Sequence, residues 1–200
     1  MKTLFIDFDG TICHDRFWRS VSPSEYQLIQ SVLFGTDTTF VKDWMCGRQT
    51  SEDINQLVAQ KTQLSYDYLW QHFVHDCETM TIDRNIFEII SELRQYYTLV
   101  LITGNMDCFS RWTVPSLQLA TYFNTIVNSA TEGQLKTENG GETFLKYLSG
   151  NITDAILIED SPTSCAIFTA LGGTALPVTS EHPALEHLQT IARTATKIPS

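Results

Sequence analysis

The chain has 200 residues, with 13 Lys and Arg against 23 Asp and Glu, a formal charge of −10. No basic run offsets that field, so nucleic acid and anionic membrane surfaces are excluded as expected partners. Hydrophobic residues make up 42% and charged residues 18%, which excludes disorder as the main state, and a chain this long buries about 70% of the surface its unfolded form exposes. Cys13, Cys46, Cys77, Cys108 and Cys165 are scattered, without a CxxC pair or a zinc-like Cys/His spacing, and read as reduced thiols. Asp7 and Asp9 interrupt any leader-like apolar run, and no apolar stretch of about 18 residues occurs. The expectation is a soluble, cytoplasmic monomer or homodimer acting on a small molecule.

Along the chain, a first strand is predicted over 3–8 and ends on Asp7 and Asp9, whose side chains leave on the same side because alternate strand residues share a face. The stretch 14–80 holds no aliphatic strand run and many helix starts. Ser22-Pro23-Ser24-Glu25 is a capping box with Pro at the first helical position, ahead of Tyr26, Ile29 and Leu33. Thr50 to Asp53 repeats the box before Ile54, Leu57 and Val58, and Ser65 caps a helix that buries Leu69, Phe73, Val74 and Cys77. Further on, a helix carrying Ile86, Ile89, Ile90 and Leu93 leads to a strand over 98–102, and strands follow over 125–127, 155–158 and 173–178. A helix with Phe144, Leu145 and Leu148 falls between the third and fourth of these strands, and 196–200 reads as a frayed tail. Strands alternating with helices predict an α/β fold, a doubly wound, mostly parallel sheet covered on both faces. Residues 1–13 and 81–200 form the predicted core. The helical insertion 14–80 leaves the carboxyl end of the first strand, where open α/β sheets bind ligands, and is predicted to cap a site.

Three strand ends and one loop carry the candidate chemistry. Asp7 and Asp9 repel each other unless a cation or shared proton joins them, and Gly10 lets exposed amides wrap an anion. The alternative is a turn or helix-capping pair; an EF-hand is excluded, because Trp18 stands where its bidentate Glu belongs. Thr103-Gly104-Asn105 ends the second strand, and its hydroxyl suits a phosphate oxygen, although the triplet is equally ordinary turn chemistry. Glu159-Asp160 ends an apolar strand, where consecutive acids are costly to desolvate without a cation; Asp160 also reads as the cap of a helix beginning near Pro162. Lys136 lies in a polar loop and by composition alone reads as solvated, while Lys146 lies on the wet face of a helix.

Taken in order, these four segments resemble the signature motifs of the haloacid dehalogenase superfamily, made up mainly of Mg²⁺-dependent phosphohydrolases. Asp7-x-Asp9-Gly10-Thr11 matches the first, Thr103 the second, Lys136 the third, and Glu159-Asp160-Ser161 the acidic fourth. The resemblance covers nearly the whole chain and places 14–80 as a type 1 cap, in a phosphatase branch similar to phosphoglucomutases and phosphoglycolate phosphatases. No Pro follows Lys136, and Glu159-Asp160 replaces a Gly-Asp pair. The resemblance implies Asp7 as nucleophile and Asp9 as general acid and base. It implies Mg²⁺ held by Asp7, the Asp9 carbonyl and Asp160, with Glu159 helping directly or through water, and phosphate held by Gly10, Thr103, Gly104 and Lys136. Branches that act on haloacids or phosphonates lack the second Asp, so Asp9 points to phosphate esters of a small metabolite. A sugar phosphomutase uses the same core residues, and a non-catalytic binding protein is a third alternative. In the cap, Gly47-Arg48 resembles the turn that type 1 caps aim at the site, with Arg48 a candidate clamp for a second anionic group or a plain surface residue. Trp18, Arg19, Trp44 and Trp70 are read as cap packing ahead of stacking on a substrate. His72 and His75 lack a third ligand and read as surface residues.

Overall fold

The computed structural model describes residues 1–35 and 38–196. Five parallel strands form one sheet in the order β3-β2-β1-β4-β5, with β1 (Lys2–Ile6), β2 (Tyr97–Thr103), β3 (Thr125–Asn128), β4 (Ile156–Glu159) and β5 (Thr174–Pro177). The predicted strands are all present. β1 stops earlier than the expected 3–8: Asp7 extends the ladder by one bond, from its amide to the Ile158 carbonyl at 3.0 Å, and Phe8 then turns. The amides of Thr11, Ile12 and Cys13 all donate to the Phe8 carbonyl. Leu4 pairs with Leu99 on one side and with Ile156 on the other. The chain therefore leaves β1 for β2 and β3 on one flank and returns to β4 on the opposite flank, which makes the gap between β1 and β4 the crevice at which the strand order reverses.

Alternation along the strands divides the core between two faces. Leu4, Ile6, Leu99, Leu101 and Ile158 pack against helices α5 (Arg84–Leu93) and α10 (Ala184–Ala195). Phe5, Val100, Ile102 and Leu157 pack on the other side against Phe144 and Phe168. Phe144 stands on a short helix, α8 (Glu142–Lys146), and Phe168 on α9 (Pro162–Ala170). The rings of Phe5, Phe144 and Phe168 meet edge to face at 5.0–5.6 Å, an arrangement that aromatic quadrupoles favour. The helix expected around Leu148 ends at Lys146, and Leu145 points outward. Two further helical turns, α6 (Val114–Ser116) and α7 (Ser129–Glu132), flank β3.

Among the described residues between β1 and α5 stand four helices: α1 (Pro23–Leu33), α2 (Thr39–Met45), α3 (Ser51–Thr62) and α4 (Tyr66–Glu78). They form the expected all-helical insertion and bury a cluster of their own, with Trp18, Ile29, Trp44, Ile54, Leu69 and Phe73 at its centre and Cys108 entering from beneath. The capping boxes at Ser22/Glu25 and Thr50/Asp53 both close in each direction. Trp18 donates its ring N–H to the Leu69 carbonyl at 3.0 Å, and Arg19 reaches the carbonyls of Asp76 and Thr79, so these residues are cap structure. His72 shares a hydrogen bond with Ser20 at 2.7 Å and joins no metal cluster among the described residues. All five cysteines are free and buried. No helix among the described residues is long and apolar enough to cross a membrane. Residues 197–200 of the expected tail lie outside the described residues.

Candidate active site

The carboxyl ends of β1, β2 and β4 converge on one acidic cleft. Asp7 is the first residue past β1 and is 3% exposed. Its Oδ1 accepts from Lys136 Nζ at 2.6 Å and its Oδ2 from the Thr11 hydroxyl at 3.3 Å. Glu159, the last residue of β4, is 1% exposed, with Oε2 2.5 Å from the same ammonium and Oε1 accepting the Ser161 amide. Lys136 also donates to the Ile102 carbonyl at 3.2 Å. The loop lysine is thus buried between two carboxylates, and the solvated alternative does not hold. Asp160 follows on the turn, its amide donating to the Thr11 hydroxyl at 3.2 Å. Thr11 therefore ties the β1 turn to the β4 turn, a role the sequence pattern did not single out.

Oxygens of Asp7, Glu159 and Asp160 lie within 4.8 Å of one another. Three carboxylates meet one ammonium here, an acidic surplus in a buried setting. Burial pushes the Glu159 carboxyl up to about 7, with Asp7 adding to the rise and Lys136 opposing it. Burial also raises Asp7 above the ordinary carboxylate value, again against the pull of Lys136. Burial pulls Lys136 down, but Asp7 and Glu159 outweigh it and keep the ammonium charged. An all-oxygen donor set with this surplus fits a hard divalent cation such as Mg²⁺. Gly10 is part of the same fit. Its φ of 77° is left-handed, and a Cβ there would collide with the Asp160 carboxylate. Thr103, at the end of β2, is 1% exposed, and its hydroxyl has no hydrogen-bond partner among the described residues. It lines the cleft together with Gly104, and an orphaned buried donor there suits an anionic oxygen.

Asp9 is not among the three clustered carboxylates and lines both the cleft and the neighbouring cavity beneath the cap. Its side chain is half exposed, and its Oδ1 accepts from Arg16 Nη1 at 2.5 Å. Desolvation in the cleft raises the carboxyl, and Arg16 counters the rise. Sequence reasoning missed Arg16, because nothing in Asp15-Arg16-Phe17 marks it until the cap folds back over the strand end.

The cap turn departs from expectation. Arg48 is not brought to the cleft: its side chain is half exposed and its Nε donates to Asp43 at 2.7 Å. Gly47, at φ 67°, lets the turn press on the core, since a Cβ would collide with the Ala130 carbonyl. From the same turn it is Met45 that lines the cleft.

No family model matches the chain, and no curated protein matches it. Solved structures do. A haloacid dehalogenase (HAD) family enzyme from Bacteroides thetaiotaomicron, described in complex with magnesium and inorganic phosphate, superposes with a TM-score of 0.69 at 16% identity, over 90% of this chain and 95% of its own. A structure described as a predicted HAD-like family hydrolase from Porphyromonas gingivalis gives 0.73 at 18%, over 100% and 99%. L-2-haloacid dehalogenase from Xanthobacter autotrophicus gives 0.65 at 11%, over 96% and 88%. The chain has the haloacid dehalogenase fold: a parallel, Rossmann-like sheet with an inserted helical cap.

Proposed function

We propose that the protein is a Mg²⁺-dependent phosphatase that hydrolyses a small phosphomonoester through an aspartyl-phosphate. The observation that carries the reading is the setting of Asp7: a buried carboxylate at the strand-reversal crevice, ion-paired to Lys136, flanked by Glu159 and Asp160, and lining one cleft with Thr103, whose hydroxyl has no partner among the described residues. A similarly folded enzyme described with magnesium and inorganic phosphate supports it.

In this reading Asp7 attacks phosphorus in line. The new P–O bond forms as the ester P–O bond breaks, and Asp9 gives its proton to the leaving alkoxide. Asp9, again a carboxylate, takes a proton from water, which attacks the phosphoryl group and returns Asp7 and inorganic phosphate. The Arg16 pair favours the ionised Asp9 of this second half, and the desolvation that raises the carboxyl favours the protonated form of the first. Lys136, Thr103 and the amides after Asp9 supply positive charge and donors to the transferring oxygens. Mg²⁺, held by Asp7, the Asp9 carbonyl and Asp160, with Glu159 behind Lys136, would offset the repulsion between an anionic nucleophile and an anionic phosphate.

Asp7→Asn keeps the size of the side chain and removes the nucleophile. Turnover of p-nitrophenyl phosphate in Mg²⁺ is expected to fall by about four orders of magnitude or more, the scale of losing a group in a covalent mechanism, with the circular dichroism unchanged. Substantial turnover by this variant, or wild-type turnover indifferent to chelation, would overturn the reading.

A further inference from the structure

Next to the acidic cleft lies a second cavity of about 230 Å³, roofed by α1 and α2 and sharing Asp9, Met45 and Gly104 with the cleft. A substrate phosphoryl group at Asp7 would have its ester oxygen at Asp9 and the rest of its leaving group in this space. An apolar cavity of roughly 150 Å³ accommodates benzene, so the volume suits one ring with a substituent and is too small for a nucleotide.

The lining is apolar on most sides, with Phe17, Phe34, Val41, Met45 and Met106 among its walls. Phe34 is 59% exposed at the carboxyl end of α1, outside the cap's own buried cluster. A single exposed phenylalanine is ordinary, but this one edges an apolar cavity that opens onto the catalytic carboxylates. Methionine walls adapt to the outline of a ring and favour contact with its edge.

The charges argue in the same direction. One cation, Arg16, faces two carboxylates, Asp9 and Asp15, in this lining. Arg16 is held by Asp9, and Asp15 accepts the amide and hydroxyl of Thr81 at 2.7 and 2.8 Å. A carboxylate or second phosphate on the leaving group would find no free cation among the described residues of this lining and would meet more carboxylates than cations there. The guanidinium expected to clamp such a group, Arg48, is engaged by Asp43 outside the cavity. Tyr26 and Gln30 offer uncharged polar groups for a hydroxyl or carbonyl.

Resting on the phosphatase reading, we infer that the leaving group is an uncharged alcohol with an aromatic or comparably bulky apolar body, and that anionic metabolites such as phosphoglycolate or sugar bisphosphates are poor substrates. The test uses three alkyl esters, so that the leaving oxygens are alike: benzyl phosphate, ethyl phosphate and phosphoglycolate, assayed in Mg²⁺ by phosphate release. Benzyl phosphate is expected to exceed ethyl phosphate in kcat/KM by roughly 30-fold, the scale of burying a ring-sized apolar surface, with phosphoglycolate the poorest. Phe34→Ser, a change at an exposed position, should cut the benzyl-to-ethyl ratio about fivefold. Equal rates on benzyl and ethyl phosphate, a preference for phosphoglycolate, or an unchanged ratio in F34S overturns this inference while leaving the phosphatase reading intact. No turnover of any of the three by protein that hydrolyses p-nitrophenyl phosphate overturns this inference alone, and no turnover of any of the four esters overturns both.

Discussion

At Gly10 the backbone takes a left-handed φ of 77° directly after the two aspartates, and the space where a side chain would begin belongs to the Asp160 carboxylate. The residue therefore answers two requirements, one of conformation and one of proximity, and only the second concerns chemistry. Gly10→Ala separates them from a simple loss of stability. The left-handed conformation costs an L-residue about 1–2 kcal/mol, which a protein of this size survives. The methyl group, in addition, forces Asp160 out of reach of Asp7 and Glu159. We expect G10A to remain folded at 25 °C and to bind Mg²⁺ at least about tenfold more weakly, the loss seen when groups that orient metal ligands are disturbed. Calorimetric titration with Mg²⁺ checks this, and native affinity in G10A would show that Asp160 is not a ligand. Lys136 makes a related point at the same scale. Its side chain is buried because Asp7, Glu159 and the Ile102 carbonyl together replace the water that it gives up.

The helices of the insertion are joined to the sheet through a polar clasp centred on Asp107, four residues past the end of β2. Its Oδ1 accepts from the Trp44 ring N–H at 2.8 Å and from the Ser51 hydroxyl at 2.6 Å, and its Oδ2 accepts from Arg111 at 2.9 Å. Arg111 in turn forms a two-pronged pair with Glu52 on α3. One carboxylate thus fixes both α2 and α3, the helices on either side of the turn that places Met45 over the cleft. Burial pushes the Asp107 carboxyl up, but the hydrogen bonds from Ser51, Arg111 and Trp44 outweigh it and hold the group below its ordinary value of 3.8. A carboxyl depressed in the folded state stabilises the protein fully above its unfolded value, and that contribution is lost as the pH falls through the folded one. Asp107→Ala leaves the buried Trp44 N–H without an acceptor and is expected to cost about 2–3 kcal/mol at pH 7. In urea unfolding, the gap between wild type and D107A should persist down to the ordinary value of 3.8 and narrow below it, as the ionised carboxylate's share is lost. A gap that stays constant to pH 2 would mean that the clasp owes nothing to the ionised carboxylate.

For the molecule as a whole, what the sequence revealed follows the range of the interactions involved. The β1, β2 and β4 runs were legible because strands buried on both faces must be continuously aliphatic, and α1 and α3 because a capping box is a local device that closes within four residues. α2 was not legible: it has seven residues, no side-chain cap, and two buried positions, Val41 and Trp44, that gain their meaning from the tertiary cluster. The same division runs through the site. Asp7, Thr103 and Glu159-Asp160 were legible because each ends or follows a strand, and Lys136, in a polar loop beyond α7, only through the family resemblance, whereas the Arg16–Asp9 pair and the replacement of Arg48 by Met45 depend on how the cap seats on the core. Charge, read first as a formal −10, takes on a location: part of it is concentrated at the crevice between β1 and β4, where folding in the absence of a cation works against carboxylate repulsion. A ligand that binds only the folded state adds stability of RT ln(1 + [L]/Kd), about 2.7 kcal/mol at a hundredfold excess over Kd. For a chain of this length that raises Tm by about 5–10 °C. Mg²⁺ is expected to produce this rise. Asp160→Asn removes one of the repelling charges and one of the donors, so it should melt at or above the metal-free wild type and lose most of the increment. Scanning calorimetry with Mg²⁺, and with NaCl at matched ionic strength to separate binding from screening, reads both effects. An increment that survives D160N, or that NaCl reproduces, would mean that the cation does not rest on Asp160.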